Sequence, residues 1–228
     1  TLGFKQLMHY SKKIILQYGF SGFLFSFTAL PLFIVTPVLY ENKNGLSLAI
    51  VGLILMIVRF TDAITDPVIG RCVDITSGQR FLKWIIPSIV TLVLSFFWLM
   101  NPPEDFPSFF YSLAWLCFFL LLVSISNGAA LLAYQSWVLS ITEKSQQQLR
   151  FVTSREMFTL VGVIVASYFA TQRMFLGMSI VVIVCSFFSI YFLFSISSIN
   201  LKTPRKTQNN FTFNKVIGRK TRVMFFIF

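Results

Sequence analysis

Charge is what this sequence has least of. Lys, Arg, Asp and Glu make up only 12% of its 228 residues, about half the share of a soluble domain, which excludes an ordinary water-soluble globule. Acids are scarcer than bases, eight against nineteen. Histidine occurs once, as His9, so a histidine metal centre and a Ser-His-Asp triad within the apolar runs are excluded. Cys72, Cys117 and Cys185 are odd in number and widely spaced, two of them inside apolar runs. They give neither a disulfide framework nor metal-ligand spacing. No cleavable signal peptide is recognisable at the start, and no low-complexity tract or short-period repeat appears along the chain.

What is present in excess is apolar surface: 56% of the residues are hydrophobic and 28 are Phe. The pattern is that of an all-α membrane protein, a six-transmembrane-helix bundle over residues 1–199. Its spans are expected at about 14–37, 46–70, 82–100, 108–139, 153–170 and 175–197. Each has the 17–25 residues, or more, that a hydrocarbon core of roughly 30 Å demands. In the first span Gly19, Gly22 and Ser26 share one face suited to close helix packing, and Pro31 and Pro37 are expected to bend or end it. Residues 41–45 read as a turn, Asn101-Pro102-Pro103 stops the third span, and residues 143–150 read as a hydrophilic loop. The inner part of the fourth span is polar. Its Asn127, Gln135 and Ser136 either line a cavity or hydrogen-bond to neighbouring helices, readings between which the sequence does not choose. Residues 200–228 form a basic segment ending in Val223–Phe228, which looks like the opening of a seventh helix.

The formal charge of +11 suggests nucleic acid only until its distribution is considered. Lys5, Lys12, Lys13, Arg71, Arg80, Lys83, Lys144, Arg150 and Arg155 fall at alternate helix ends, with seven more basic residues after position 200. The opposite loops carry Glu41, Lys43, Glu104, Asp105 and Arg173. That asymmetry predicts an integral protein of the inner or plasma membrane with both termini cytoplasmic, partnered by the bilayer and not by nucleic acid.

The second span carries the chemistry. Asp62, Asp66 and Gly70 are spaced i, i+4, i+8 and so share one helix face, with Arg59 one turn earlier. A charge near mid-membrane costs about 2.5–3.5 kcal/mol on insertion scales, so three within two turns must face a partner helix or a water-filled cavity. One reading is an ion pair with Arg59 that locks two helices together. The other is a cation or proton site, favoured because two carboxylates against one cation leave negative charge over.

The stretch FTDAITDPVIG at residues 60–70, followed by Asp74, resembles the second-helix signature of the glycoside–pentoside–hexuronide:cation symporters of the major facilitator superfamily, the melibiose permease among them. Tyr18-Gly19 in the first span, Gly45-Leu46-Ser47 before the second, Gly52 within it, Arg155-Glu156 and Gly162 in the fifth match in the same order. Gly70, Asp74, Gly78 and Arg80 resemble a degenerate form of the superfamily's motif between its second and third helices. The resemblance covers about residues 10–200, the amino-terminal half of the usual twelve-helix fold.

That resemblance implies a secondary active transporter: cation- or proton-coupled symport of a small organic solute, such as a sugar or glycoside, by alternating access. It implies no cofactor beyond the coupling ion, H⁺ or Na⁺, and no enzymatic activity. Asp62 and Asp66 match the carboxylates that hold the coupling cation in the melibiose permease, with Asn127 as a further ligand and any Na⁺ held at Asp62 and Asp66. Tyr18, Ser26, Gln135 and Arg155 fall at substrate-contact positions, and Arg59, Gly70, Asp74 and Arg80 at structural or gating ones. The departures are specific. The family's fourth-helix carboxylate falls near Leu131, its stacking tryptophan at Gln135, and its first-helix sugar-binding aspartate at Ser26. A galactoside site of the melibiose type is therefore not expected. A proton, which needs one carboxylate where Na⁺ needs several hard oxygens, is the favoured ion. By this reading the bundle needs a carboxyl-terminal six-helix half or a second copy over its polar face, and residues 1–228 alone are not expected to transport. The alternative is a non-transporting six-helix scaffold or an inactive fragment.

Overall fold

A computed structural model describes residues 12–74, 81–103, 106, 108–142 and 145–200. Among them lie six α-helices: α1 Lys12–Asn44, α2 Leu48–Asp74, α3 Leu82–Met100, α4 Phe109–Ile141, α5 Ser145–Thr171 and α6 Phe175–Asn200. No strand occurs among the described residues. Five of the six are long and apolar enough to cross a membrane; α5 is not. Its amino-terminal half holds Ser145, three Gln, Arg150, Arg155 and Glu156, which dilute the apolar residues that follow. Arg80, the segment before residue 12 and the basic tail after residue 200 lie outside the described residues.

The first helix corrects the sequence expectation. It does not end at Pro37 but runs through both Pro31 and Pro37 to Asn44. Proline is tolerated here because a bundle offers neighbouring helices and hydroxyls to the freed backbone groups. The helix ends instead at Gly45, whose φ of 65° is the left-handed conformation that glycine adopts without cost. The Gly45 N–H donates to the Glu41 carbonyl, the 5→1 bond of an αL cap, and the Leu46 N–H donates to the carbonyl of Tyr40. Leu46 is buried beside the cap. The fifth helix also begins earlier than expected, at Ser145, because Gln146–Arg150 continue it: Gln, Leu and Arg are good helix formers. The third lies over residues 82–100 as the sequence indicates.

The bundle is organised around α1, 61% of whose apolar span is buried, against 22% for α2. Its most extensive contact is with α5, and small residues make that contact possible. A Cβ added at Gly22 would lie 2.7 Å from the Arg155 carbonyl oxygen, and one at Gly162 2.7 Å from that of Phe23. Across the same seam Ser154 Oγ donates to the Ile15 carbonyl at 3.1 Å. As the α1 partners advance from Ile15 to Phe23, those on α5 advance from Ser154 to Gly162, so the two helices are parallel. In the same way Ser21 meets Ser189 of α6 at 2.6 Å, Tyr40 donates to the Leu99 carbonyl of α3 at 3.1 Å, and Asn101 donates to Ser179 at 2.8 Å.

Candidate cation and solute site between α1, α2 and α4

Helix α2 leans on α4 through its acidic face. Both Asp62 and Asp66 are half-buried. Ser124 Oγ of α4 reaches the two carboxylate oxygens of Asp62 at 2.8 and 2.7 Å, one hydroxyl donating between them. One turn on, Asp66 Oδ1 lies 2.9 Å from where a Cβ at Gly128 would stand. Only glycine lets that carboxylate approach the α4 backbone. The two helices therefore match i, i+4 with i, i+4: Asp62 and Asp66 against Ser124 and Gly128, on parallel axes. Thr28 of α1 completes the crossing, donating to Asn127 Oδ1 at 3.4 Å.

Arg59 does not neutralise this pair. Its nearest carboxylate approach is 3.9 Å to Asp62, and its side chain is 62% exposed against 15% for Asp62. Its guanidinium lies 3.8 Å over the Phe33 ring of α1, a cation–π contact worth about 0.5–1 kcal/mol where solvent reaches it. One loosely held cation thus stands beside two inward carboxylates. Among the described residues no group of three or more His, Cys, Asp and Glu converges. A cation at Asp62 and Asp66 would draw its remaining oxygens from hydroxyl, amide or backbone groups.

The residues assigned to solute contact do not form one cluster with the carboxylates. Tyr18 is buried, stacked on Tyr134 of α4 with centroids 4.1 Å apart. Each hydroxyl donates to the other's backbone carbonyl, Tyr18 to Tyr134 at 3.3 Å and Tyr134 to Tyr18 at 2.7 Å. The pair is an α1–α4 clamp, roughly 9 Å along α4 from Gly128 at 1.5 Å per residue. Ser26 is buried, donates to the Phe23 carbonyl at 3.0 Å and packs against Gly162; it faces α5. Arg155 lays its stem over Gly22 and pairs with Glu156. Gln135 is half-buried beside Tyr134, and Gly70 faces open space. Asp74 closes α2.

Sequence reasoning missed Ser124, Gly128, Thr28 and Tyr134. A signal for the first two existed: their i, i+4 spacing repeats that of Asp62 and Asp66. Ser124→Ala tests the joint they form. A hydrogen bond to a charged group contributes about 1.5–3 kcal/mol, so this variant is expected to lower the apparent Tm in detergent by several degrees. Ser124→Thr, which keeps the hydroxyl, should restore most of the loss. Equal melting of parent and Ala variant would dissolve the joint.

With the helices and carboxylates in place, the comparison with known families decides the class. Residues 17–222 match the MFS/sugar transport protein family. The chain belongs to that family. This is a major facilitator domain, an integral membrane protein whose family points to transport and not to catalysis.

Proposed function

We propose that this MFS domain is the amino-terminal half of a cation-coupled symporter for a small organic solute, a sugar or glycoside being the class its family suggests. The observation that carries the reading is the pair of carboxylates on α2, turned towards Ser124 and Gly128 of α4 with only one exposed arginine beside them. Intramembrane acids in such a setting mark ion pathways by default. Proton coupling is the favoured form, since the neighbours available are one hydroxyl and one amide and a proton needs a single carboxylate. Binding of the ion at α2–α4 and of solute at the depth of Gln135 and Arg155 would couple through α4, which bears on both, as the bundle rocks against its complement in alternating access. That complement, a carboxyl-terminal six-helix half or a second copy, covers the polar face to which Asp62, Asp66, Asn127, Gln135 and Arg155 contribute. Both termini are cytoplasmic in this reading.

Uptake by proteoliposomes containing the bundle and its complement tests the proposal. Accumulation of a labelled sugar or glycoside is expected under an inward proton gradient and should collapse with a protonophore. Stimulation by Na⁺ at fixed pH would reassign the ion. Equilibration without accumulation under either gradient would remove coupling altogether.

A further inference from the structure

Where α1 finishes and α5 turns into α6, a cleft of about 380 Å³ opens between the helices, within the roughly 300–1,000 Å³ usual for small-ligand sites. It is remote from the carboxylates: the α2 residues from Leu48 to Asp62 put on the order of 20 Å between them. One wall is apolar, built from Ile34 and Val38 of α1 with Phe175 of α6. Val35, Leu39 and Ala170 extend that apolar lining, and the remainder is polar and positively charged, with Asn42, Lys43, Thr171 and Arg173. No acid lines it; Glu41, the nearest in sequence, is exposed and not part of the wall.

Arg173 is held there at a cost. Its φ of 54° is the only positive value at a non-glycine residue among those described, a conformation that costs such a residue roughly 1–2 kcal/mol. Its N–H donates to the Ala170 carbonyl and the Phe175 N–H donates to its own, so the α5–α6 turn imposes the conformation. Glycine would sit there without strain, yet the position carries a cation. Lys43 stands opposite in the last turn of α1.

We propose that this cleft binds an anionic phospholipid, with an acyl chain along Ile34, Val38 and Phe175 and the phosphate between Lys43 and Arg173. The occupant follows from the combination. A neutral lipid would use the wall but not the two cations, and a free anion the cations but not the wall. Two cations beside an apolar wall use the same charge and apolar complementarity as the basic pockets between membrane helices that hold anionic headgroups on the cytoplasmic side. Here they stand at the non-cytoplasmic ends of α1 and α5 in the topology proposed above. The site is independent of the coupling reading: it contains neither Asp62 nor Asp66.

The test is native mass spectrometry of the full chain in detergent with phosphatidylglycerol or phosphatidylcholine of identical acyl chains. Retention of phosphatidylglycerol at least about tenfold over phosphatidylcholine is expected, a difference of about 1.4 kcal/mol. Arg173→Gly removes the cation while relaxing the turn, so its loss of lipid cannot be ascribed to misfolding. It and Lys43→Gln should each reduce retention severalfold, and the pair should abolish the preference. Filling the wall with Val38→Trp should displace the lipid with both cations kept. Equal retention of the two lipids, or undiminished phosphatidylglycerol binding by the double variant, overturns the proposal. So does displacement by millimolar inorganic phosphate, which would make the ligand a soluble anion.

Discussion

Asp62→Asn and Asp66→Asn are each expected to abolish concentrative uptake while leaving solute exchange down its gradient. Asparagine keeps the shape of each side chain and removes the charge that the coupling ion neutralises. At position 62 the amide oxygen can still accept from Ser124, 2.7–2.8 Å away. At position 66 an amide of the same size fits the space left by Gly128. Both variants should therefore melt near the parent, in contrast to Ser124→Ala. Accumulation is expected to fall by more than about tenfold, about 1.4 kcal/mol of solute gradient, because an uncoupled carrier only equilibrates its solute. Full accumulation by both variants, in the same vesicles, would reduce the pair to helix packing.

The second large effect concerns the α1–α5 seam. Gly22→Leu and Gly162→Leu are expected to cost most of the folded yield, and the two alanine variants about 1–3 kcal/mol each, the range for forcing groups into a filled interior. The obstruction at each position is a backbone carbonyl 2.7 Å from the new Cβ, which no rotamer change relieves. Gly22 and Gly162 lie on one interface, so their effects should not add. Gly52→Ala is the control: nothing lies within 4 Å of its added carbon, and a helical glycine exchanged for alanine tends to gain about 0.5–1 kcal/mol. Detergent melting and size-exclusion profiles decide between them. A Gly162→Leu protein as monodisperse and heat-stable as the Gly52→Ala protein would mean that the helices are not in contact as described.

Periodicity makes much of this legible in the sequence. The i, i+4, i+8 spacing alone puts Asp62, Asp66 and Gly70 on one face, and the small-residue face of Gly19, Gly22 and Ser26 is the face that meets α5. Spacing says which residues share a side, not which helix lies opposite. That α4 supplies Ser124 and Gly128 to the carboxylates, and that Ser26 turns to α5 while Asn127 turns to α1, depend on packing between segments far apart in the chain. The expectation that the first helix ends at Pro37 fails for a related reason. It counts backbone hydrogen bonds lost from an isolated helix, whereas a helix inside a membrane bundle tolerates proline more readily. Tyr18 falls at a solute-contact position by resemblance, yet its hydroxyl is engaged by a backbone carbonyl of α4.

The polar opening of α5 has a consequence for how the protein is made. Alone among the six helices it falls short of the combined length and apolar content of a membrane span, yet it runs alongside the α1 span from Ile15 to Phe23. Its most extensive neighbour is protein, a helix synthesised long before it. Biogenesis is then expected to be order-dependent, with α1 already in the membrane and its glycine stripe unoccupied when α5 leaves the translocon. The three-residue turn to strongly apolar α6 helps by delivering the two as a hairpin. A lesion in α1 should then surface as a misrouted α5, detectable as a glycosylation tag on the wrong side, while α1 itself inserts normally.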